Sequence, residues 1–128
     1  MQFHFDDTTI TVNVPHAAAL LSAIKTRLAT REGFALATIN LDHLVKLKTD
    51  LAFRKAYAAQ DFVVADGNPI VWLSKAARRP VGLVPGSEMV MPLARLAAQT
   101  GAKVALLGST EPALKKAAEA MRAEVPGL

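Results

Sequence analysis

The stretch FVVADGNPIVW, residues 62–72, is the most informative part of this 128-residue sequence. Four apolar residues, Phe62–Ala65, lead directly into Asp66 and Gly67, and a second apolar run follows at once. A short apolar run that ends in Asp-Gly predicts a buried strand closed by a turn, and Pro69 then suits the first turn of a helix. The pattern therefore places one carboxylate where a strand ends and a helix begins.

The same alternation of strand and helix continues on both sides of this stretch. Phe34–Thr38 and Lys103–Leu107 are short apolar segments that fit buried strands. Helices are predicted from Pro15 to about Arg31, over Leu41–Gln60 with a break near Thr49-Asp50, and over Pro69–Ala77, Met89–Gln99 and Pro112–Ala123. In the broken helix, the residues predicted to face inward are Leu44, Leu47, Leu51 and Ala58. Strands alternating with helices predict one α/β domain over residues 1–128, Rossmann-like, with three layers and a mainly parallel sheet.

The N-terminal residues predict a β-hairpin ahead of this α/β pattern. Gln2–Phe5 and Thr8–Val14 flank Asp6-Asp7, and the second run alternates apolar with polar residues. We therefore expect the hairpin and the first helix to occupy residues 1–33. The predicted site then falls in residues 34–128.

The composition excludes several kinds of site. There is no cysteine, which rules out disulfides, thiol nucleophiles and cysteine-bound metal. His4, His16 and His43 lack the spacing of metal ligands and no Asp-x-Asp pair occurs, so no metal site is predicted. The sequence also lacks a G-x-G-x-x-G fingerprint, a P-loop lysine and a G-x-S-x-G elbow. We therefore expect no cofactor, and we disfavour a hydrolase-like enzyme.

The net charge of +4 bounds the possible partners. A basic surface can attract nucleic acid, anionic lipid or phosphorylated substrates. Aromatic residues are not interleaved with the Lys and Arg clusters and no nucleic-acid motif occurs, so nucleic acid is not an expected partner. The alternative is that these charges only solvate helix faces.

Three predicted strands end in polar or glycine residues that would meet at one edge of the sheet. These residues are Ile39-Asn40, Asp66-Gly67 and Gly108-Ser109-Thr110, the last with a hydroxyl that could cap the next helix. Ligands of parallel α/β sheets bind beyond the carboxyl ends of the strands. Asp66 could act there as a general base, with Thr38 or Asn40 orienting a hydroxyl substrate. Alternatively, Asp66 could cap the following helix and Asn40 could be an ordinary turn residue.

Five short motifs occur in one order over residues 34–128. They are Thr38-Ile39-Asn40, Ala65-Asp66-Gly67, Val84-Pro85-Gly86-Ser87-Glu88-Met89, Ala105-Leu106-Leu107-Gly108 and Pro126-Gly127-Leu128. Each motif is weak alone, but together and in this register they resemble the WecG/TagA/CpsF family of bacterial glycosyltransferases, glycosyltransferase family 26. The predicted hairpin and first helix agree with the N-terminal region of that family.

The resemblance implies an inverting sugar transfer without a metal or cofactor. The donor would be a UDP-sugar of the N-acetylmannosamine, N-acetylmannosaminuronic acid or glucuronic acid type. The acceptor would be a polyprenyl-diphosphate-linked saccharide. The reaction would serve teichoic acid or other cell-surface polysaccharide synthesis. The protein would be cytoplasmic and peripheral on the inner face of the bacterial plasma membrane, next to its anionic surface.

The resemblance also implies roles for particular residues. Asp66 would be the catalytic base, and Thr38 and Asn40 would line the pocket. The turn at Gly108 and Ser109 would lie against the nucleotide-sugar. The other implied substrate-binding residues are Gly67, Gly86 and Glu88. The sequence departs from the family at Leu83, where an arginine is usual, and at Glu88, where an aspartate is usual.

Two further expectations follow from the resemblance. Family members continue beyond the position of Leu128, so this chain would be a shortened or truncated relative that exposes apolar surface. We therefore expect a homo-oligomer with two-fold symmetry that buries one or both of two helices. The first bears Leu93, Leu96 and Ala97, and the second bears Leu114, Ala118 and Met121. The alternative function is a non-catalytic α/β binding or assembly module of the same fold.

Overall fold

The computed structural model describes all residues, Met1–Leu128. Its elements, in chain order, are β1 (Gln2–His4), β2 (Thr9–Thr11), α1 (Ala17–Thr30), β3 (Leu36–Ile39), α2 (Leu41–Leu47), α3 (Leu51–Ala58), β4 (Phe62–Ala65), α4 (Asn68–Ala76), α5 (Gly86–Thr100) and α6 (Glu111–Glu124). The chain forms two compact units, Met1–Ser87 and Glu88–Leu128, and α5 begins in the first and continues into the second. None of the six helices has the length and apolar character that crossing a lipid bilayer requires.

The predicted hairpin is confirmed. β1 and β2 pair antiparallel, with Phe3 opposite Ile10. Ile10 and Val12 turn inward and are almost completely buried, as the alternation of apolar and polar residues predicts. The hairpin thus contributes one apolar face to the core of the first unit.

The parallel sheet is present but small. β3 and β4 pair parallel from Leu36 opposite Phe62 to Ile39 opposite Ala65, and α2 and α3 form the crossover between them. This βαβ unit confirms an α/β fold. The sheet has only two strands, so the structure does not confirm the larger Rossmann-like, three-layer arrangement.

The outer edge of β4 is hydrogen-bonded to a coil segment that follows β2. The Asn13 backbone N–H donates to the Val63 carbonyl oxygen at 3.2 Å, and the Val63 N–H donates to Asn13 Oδ1 at 2.9 Å. Asn13 Nδ2 donates to the Asp61 carbonyl oxygen at 2.7 Å. One side chain therefore joins the hairpin region to β4.

The predicted strand Lys103–Leu107 is wrong. This segment has no regular secondary structure and pairs with no strand, and Leu107 is 94% exposed. Val, Ala and Leu residues give a segment apolar character, but a strand also needs a neighbour for its backbone N–H and C=O groups. The predicted end of the preceding helix is confirmed, because Gly101 has φ 69° and Ala102 N–H donates to the Ala97 carbonyl oxygen.

The predicted break at Thr49-Asp50 is confirmed. Because α3 starts as a new helix, its inward-facing positions are not those of a helix continued from α2. The Asp50 carboxylate accepts a hydrogen bond from Phe53 N–H at 2.9 Å and so caps α3. Leu47 is fully buried as predicted, but Leu51 and Ala58 are exposed, contrary to prediction. The inward face of α3 carries Phe53, Arg54 and Tyr57 instead.

The core of the first unit is an apolar cluster around the parallel pair. Its buried members are Ile10, Val12, Ile39, Leu47, Tyr57, Val63, Ala65, Ile70 and Val81. They come from the hairpin region, both parallel strands, α2, α3, α4 and the loop after α4. Tyr57 carries the one side-chain hydroxyl in this cluster, so its hydrogen bonds matter for the site.

Arg54 ties the corner between α2 and α3 to the hairpin. Arg54 is buried, with only 6% of the residue exposed. Arg54 Nε donates to the Leu47 carbonyl oxygen at 2.6 Å and Nη2 to the Lys48 carbonyl oxygen at 2.9 Å, while Nη1 donates to Asp7. The guanidinium also lies 5.4 Å from the centroid of the Phe5 ring. The hydrogen bond from Arg54 holds the pKa of the Asp7 carboxyl below its usual value.

Candidate functional site

Asp66 lies immediately after β4, where the two parallel strands end together. Its backbone N–H donates to the Ile39 carbonyl oxygen at 2.9 Å, which extends the ladder by one bond. The side chain is half-buried and accepts no hydrogen bond from the protein. The N-cap of α4 is Gly67, with φ 108° and no side-chain cap bond, so the helix-cap interpretation of Asp66 is wrong. The carboxylate is therefore available to a ligand.

Thr38 and Gly86 lie beside this carboxylate. A Cβ atom placed on Gly86 would lie 3.1 Å from Thr38 Cγ2, 3.8 Å from Thr38 Oγ1 and 3.7 Å from Asp66 Oδ2. The loop leading to Gly86 runs along β4, because Val84 N–H donates to the Ala65 carbonyl oxygen at 2.8 Å. The structure thus brings together three residues that are far apart in sequence. A side chain at position 86 would fit tightly, because its Cβ would push the Thr38 methyl group aside by a few tenths of an ångström.

Asn40 caps α2 together with His43. Asn40 Oδ1 accepts from His43 N–H at 3.0 Å, and Asn40 N–H donates to His43 Nδ1 at 3.3 Å. This reciprocal pair is a capping box, with histidine in the position that Glu or Gln usually takes. The Asn40 side chain therefore has a structural role, as the N-cap of α2 and not as the ordinary turn residue of the alternative interpretation. Its predicted contact with substrate stays a prediction.

His43 and Tyr57 form a hydrogen-bonded support behind Thr38 that the sequence did not predict. The Tyr57 hydroxyl donates to the Thr38 carbonyl oxygen and lies 3.0 Å from His43 Nδ1. Asn40 N–H donates to His43 Nδ1, so that nitrogen is an acceptor. The one proton of the Tyr57 hydroxyl goes to the Thr38 carbonyl oxygen, so the contact between the Tyr57 oxygen and Nδ1 is a packing contact and not a second hydrogen bond. The spacing Asn40-x-x-His43 is a usable signal for the cap, but nothing local marks Tyr57, which is 19 residues from Thr38.

The pKa of Tyr57 connects this support to Asp66. Burial raises the pKa of the Tyr57 hydroxyl to about 12, and the negative charge of Asp66 contributes to the rise. The neutral phenol is therefore favoured in the folded protein. It can keep donating its proton to the Thr38 carbonyl oxygen throughout the physiological pH range.

We expect Tyr57→Phe to remove a stability loss at alkaline pH. Between pH 10 and about 12 the unfolded chain releases the Tyr57 proton and the folded protein does not, so stability falls as pH rises through that window. At pH 11 the loss is about 1.4 kcal/mol. Tyr57→Phe should not show this alkaline loss. At pH 7 the variant should be about 1 kcal/mol less stable than the wild type, because the hydrogen bond to the Thr38 carbonyl oxygen is missing.

Urea unfolding of both proteins at pH 7 and pH 11 measures this difference. Because Tyr57 is the one tyrosine in the chain, absorbance at 295 nm also titrates it directly. A phenol that titrates near pH 10 in the folded protein, or a stability difference that does not change with pH, would contradict the interpretation.

Glu88, Gly108 and Ser109 belong to the second unit. Glu88 is exposed in the first turn of α5. Gly108 and Ser109 both have positive φ, 103° and 57°, and form an exposed turn before α6. Thr110 occupies the N-cap position but its hydroxyl makes no cap bond, so the predicted hydroxyl cap is wrong. The substrate contacts of Glu88, Gly108 and Ser109 stay predictions.

The arrangement around Asp66 suits proton abstraction from a hydroxyl. It combines a half-buried carboxylate, a neighbouring Thr38 side chain and the close backbone approach of Gly86. No group of three or more His, Asp or Glu side chains is placed to hold a metal ion.

Comparison with protein families gives one match. The sequence model of one family, described as the glycosyl transferase WecG/TagA/CpsF family, matches residues 6–128, which is nearly the whole chain. No curated protein and no solved structure matches the chain significantly.

Proposed function

Because the chain belongs to the WecG/TagA/CpsF family, a family of glycosyl transferases of cell-surface polysaccharide synthesis, we propose that it transfers a sugar from a UDP-sugar to a polyprenyl-diphosphate-linked acceptor. The donor sugar is of the N-acetylmannosamine, N-acetylmannosaminuronic acid or glucuronic acid type. The polymer is a teichoic acid or another surface polysaccharide. The reaction takes place at the cytoplasmic face of the plasma membrane.

Asp66 is the base in this proposal. Its carboxylate takes the proton from the acceptor hydroxyl as that oxygen attacks the anomeric carbon of the donor. The new bond joins the acceptor oxygen to the anomeric carbon, the bond from that carbon to the phosphate oxygen breaks, and UDP leaves on the opposite face with its electron pair. The anomeric configuration is therefore inverted. The observation that carries the assignment is the free, half-buried carboxylate at the end of the parallel pair.

Thr38 and Gly86 shape the space next to that base. The Thr38 hydroxyl can hydrogen-bond the acceptor, and Gly86 brings the backbone close to Thr38 and to the Asp66 carboxylate. In the second unit, the turn at Gly108 and Ser109 would present backbone N–H groups and the N-terminus of α6 to the diphosphate. Gly67, Asn40 and Glu88 complete the proposed substrate-binding set.

A non-catalytic module of the same fold remains the second candidate, and one observation favours it. Leu83 stands where the resemblance leads us to expect an arginine, and it is 44% exposed. A cation at that position would pair with the diphosphate, and leucine cannot. Transfer of radiolabelled sugar to a polyprenyl-linked acceptor supports the enzyme, whereas nucleotide binding without transfer supports the module.

We expect UDP to stabilise the protein without added metal. A ligand at 100 times its Kd raises the free energy of unfolding by about 2.7 kcal/mol, which thermal unfolding detects easily. Uridine, which lacks the diphosphate, is the matched control and should stabilise much less. If EDTA removes the stabilisation, or if Mg²⁺ or Mn²⁺ is required for it, the metal-independent mechanism is wrong.

The homo-oligomer also stays a proposal, with one of its two candidate helices less suitable. Leu96 and Ala97 of α5 are already buried within the chain. On α6, in contrast, no residue is fully buried, and Leu114, Ala118 and Met121 are half-buried. Self-association through α6 is therefore favoured.

A further inference from the structure

The outer face of α4 exposes large apolar side chains. Trp72, the one tryptophan in the chain, is 64% exposed, and its neighbour Leu73 is 42% exposed. The opposite face of the helix packs inward through Ile70 and Ser74, which are fully buried. The core therefore does not use Trp72. An indole left in water on a helix with a well-packed inner face indicates a surface that meets something else.

The same face and the turn after it are strongly basic. The segment Asn68–Ser87 contains three cations, Lys75, Arg78 and Arg79, and no Asp or Glu. All three are exposed and none forms an ion pair with the protein. Lys75 lies three residues after Trp72 and so shares its helix face. We use "the α4 surface" for Trp72, Leu73, Lys75, Arg78 and Arg79.

The two arginines are held in place at the end of the helix. Arg78 N–H donates to the Lys75 carbonyl oxygen at 3.0 Å, and Arg79 N–H donates to the Ser74 carbonyl oxygen at 2.9 Å. Arg78 has φ 54°, a left-handed conformation that glycine usually supplies at this position. The arginine side chains therefore start from a fixed backbone turn rather than from a loose loop.

A polar cleft lies next to this turn. It has a volume of about 350 Å³ and is lined by Met1, Gln2, His4, Thr11, Ala77 and Arg79. Arg79 thus faces other hydrogen-bonding side chains of the hairpin. This part of the molecule thus carries an exposed indole, three cations and a polar cleft, the groups that suit the headgroup level of a bilayer.

We propose that the α4 surface docks on an anionic lipid bilayer, with Trp72 and Leu73 at the level of the headgroups and Lys75, Arg78 and Arg79 on lipid phosphates. This inference rests on the proposed function, because a surface that binds lipid would help the protein to reach a lipid-linked acceptor. Trp72 lies on α4, the helix that directly follows Asp66 and Gly67. Docking through α4 would therefore place on the membrane the helix adjacent to the proposed base.

Trp72 makes the test direct, because its fluorescence reports on this surface alone. With vesicles containing phosphatidylglycerol, emission should shift to the blue and saturate with lipid. With pure phosphatidylcholine, or in 0.5 M NaCl, the shift should be much weaker because the attraction is electrostatic. Three cations at about 1 kcal/mol each correspond to roughly a hundredfold in affinity.

Charge reversal identifies the residues responsible. Arg78→Glu/Arg79→Glu should weaken vesicle binding at least tenfold. Lys115→Glu/Lys116→Glu makes the same change in net charge on exposed residues of α6 and should have little effect. Circular dichroism of both variants, together with UDP-induced stabilisation, checks that they are folded.

Several outcomes would overturn the inference. These are an unchanged Trp72 emission with anionic vesicles, an equal loss of binding in both charge variants, and a blue shift that depends on protein concentration without lipid, which would make a second copy the occupant. Single-stranded DNA that competes for the surface as well as lipid does would equally exclude a membrane role. Transfer to a water-soluble acceptor separates the two ideas: if it proceeds without any vesicle binding, the proposed function stands and the docking surface does not.

Discussion

Asp66→Asn should lower the rate of sugar transfer by ~10²–10⁴-fold and leave the fold intact. The amide is nearly isosteric with the carboxylate but cannot take the proton of the acceptor hydroxyl. The fold should survive because the Asp66 side chain makes no hydrogen bond within the protein, and its backbone bond to Ile39 is unaffected. Initial rates with a radiolabelled donor give the effect, and the thermal midpoint reports on stability.

Asp6→Asn is the matched control for this variant. It is the same chemical change at an exposed aspartate in the hairpin turn. It should leave the rate of transfer unchanged. Wild-type turnover by Asp66→Asn would remove Asp66 from the role of base. UDP binding that survives in Asp66→Asn without transfer would support the role, because it shows an intact donor site that lacks only proton abstraction.

Arg54→Met should destabilise the first unit by about 2–4 kcal/mol. Methionine fills much of the same space but leaves the Leu47 and Lys48 carbonyl oxygens without their donor, and Asp7 without its partner. The loss is below the upper range for buried ion pairs because the Asp7 side chain is 52% exposed and can be hydrated. A thermal midpoint lower by roughly 10 °C is the expected result.

Arg95→Met removes an exposed arginine, in contrast to the buried Arg54, and serves as the comparison. Its ion pair with Glu124 is exposed on both sides, at 49% and 58%, so less than about 1 kcal/mol is expected. The pH provides a second check on Arg54. The lowered pKa of Asp7 contributes stability that is present above 3.8 and is lost as pH falls through the folded value, so the gap between wild type and Arg54→Met should narrow in acid. Equal stability of the two arginine variants at pH 7 would show that Arg54 is not an anchor.

The elements that the sequence predicted well have local signals. The hairpin has alternating residues on both sides of Asp6-Asp7, and β4 matches the predicted Phe62–Ala65. The break at Thr49-Asp50 could be predicted because Asp50 is a typical N-cap residue. Lys103–Leu107 has comparable apolar character, but whether it forms a strand depends on a neighbour that its own residues do not specify.

The site divides in the same way. The position of Asp66 at the end of β4 could be predicted from the strand and turn around it, and the structure places Thr38 and Gly86 beside it. Its role as a base stays a prediction. Tyr57 and Arg54 could not be predicted, because their partners are 19 and 47 residues away and only tertiary packing brings them together. The sequence pattern predicts inward positions on α3 from aliphatic residues, so it does not assign Arg54 or Tyr57 to the inward face.

The hydrogen bonds on the outer edge of β4 restrict how the sheet can grow. Successive residues of a strand point their backbone groups to alternate edges. On the outer edge, the carbonyl oxygens of Asp61 and Val63 and the N–H of Val63 are bonded to Asn13, and the carbonyl oxygen of Ala65 is bonded to Val84. A strand from another molecule would have to displace both segments to add there. Recruitment of a foreign strand, the first step of edge-to-edge aggregation, is therefore blocked on this side. On the other edge of the sheet, the outward carbonyl oxygen of Thr38 already accepts a hydrogen bond from the Tyr57 hydroxyl, so a strand that joined beside β3 would have to displace that bond as well.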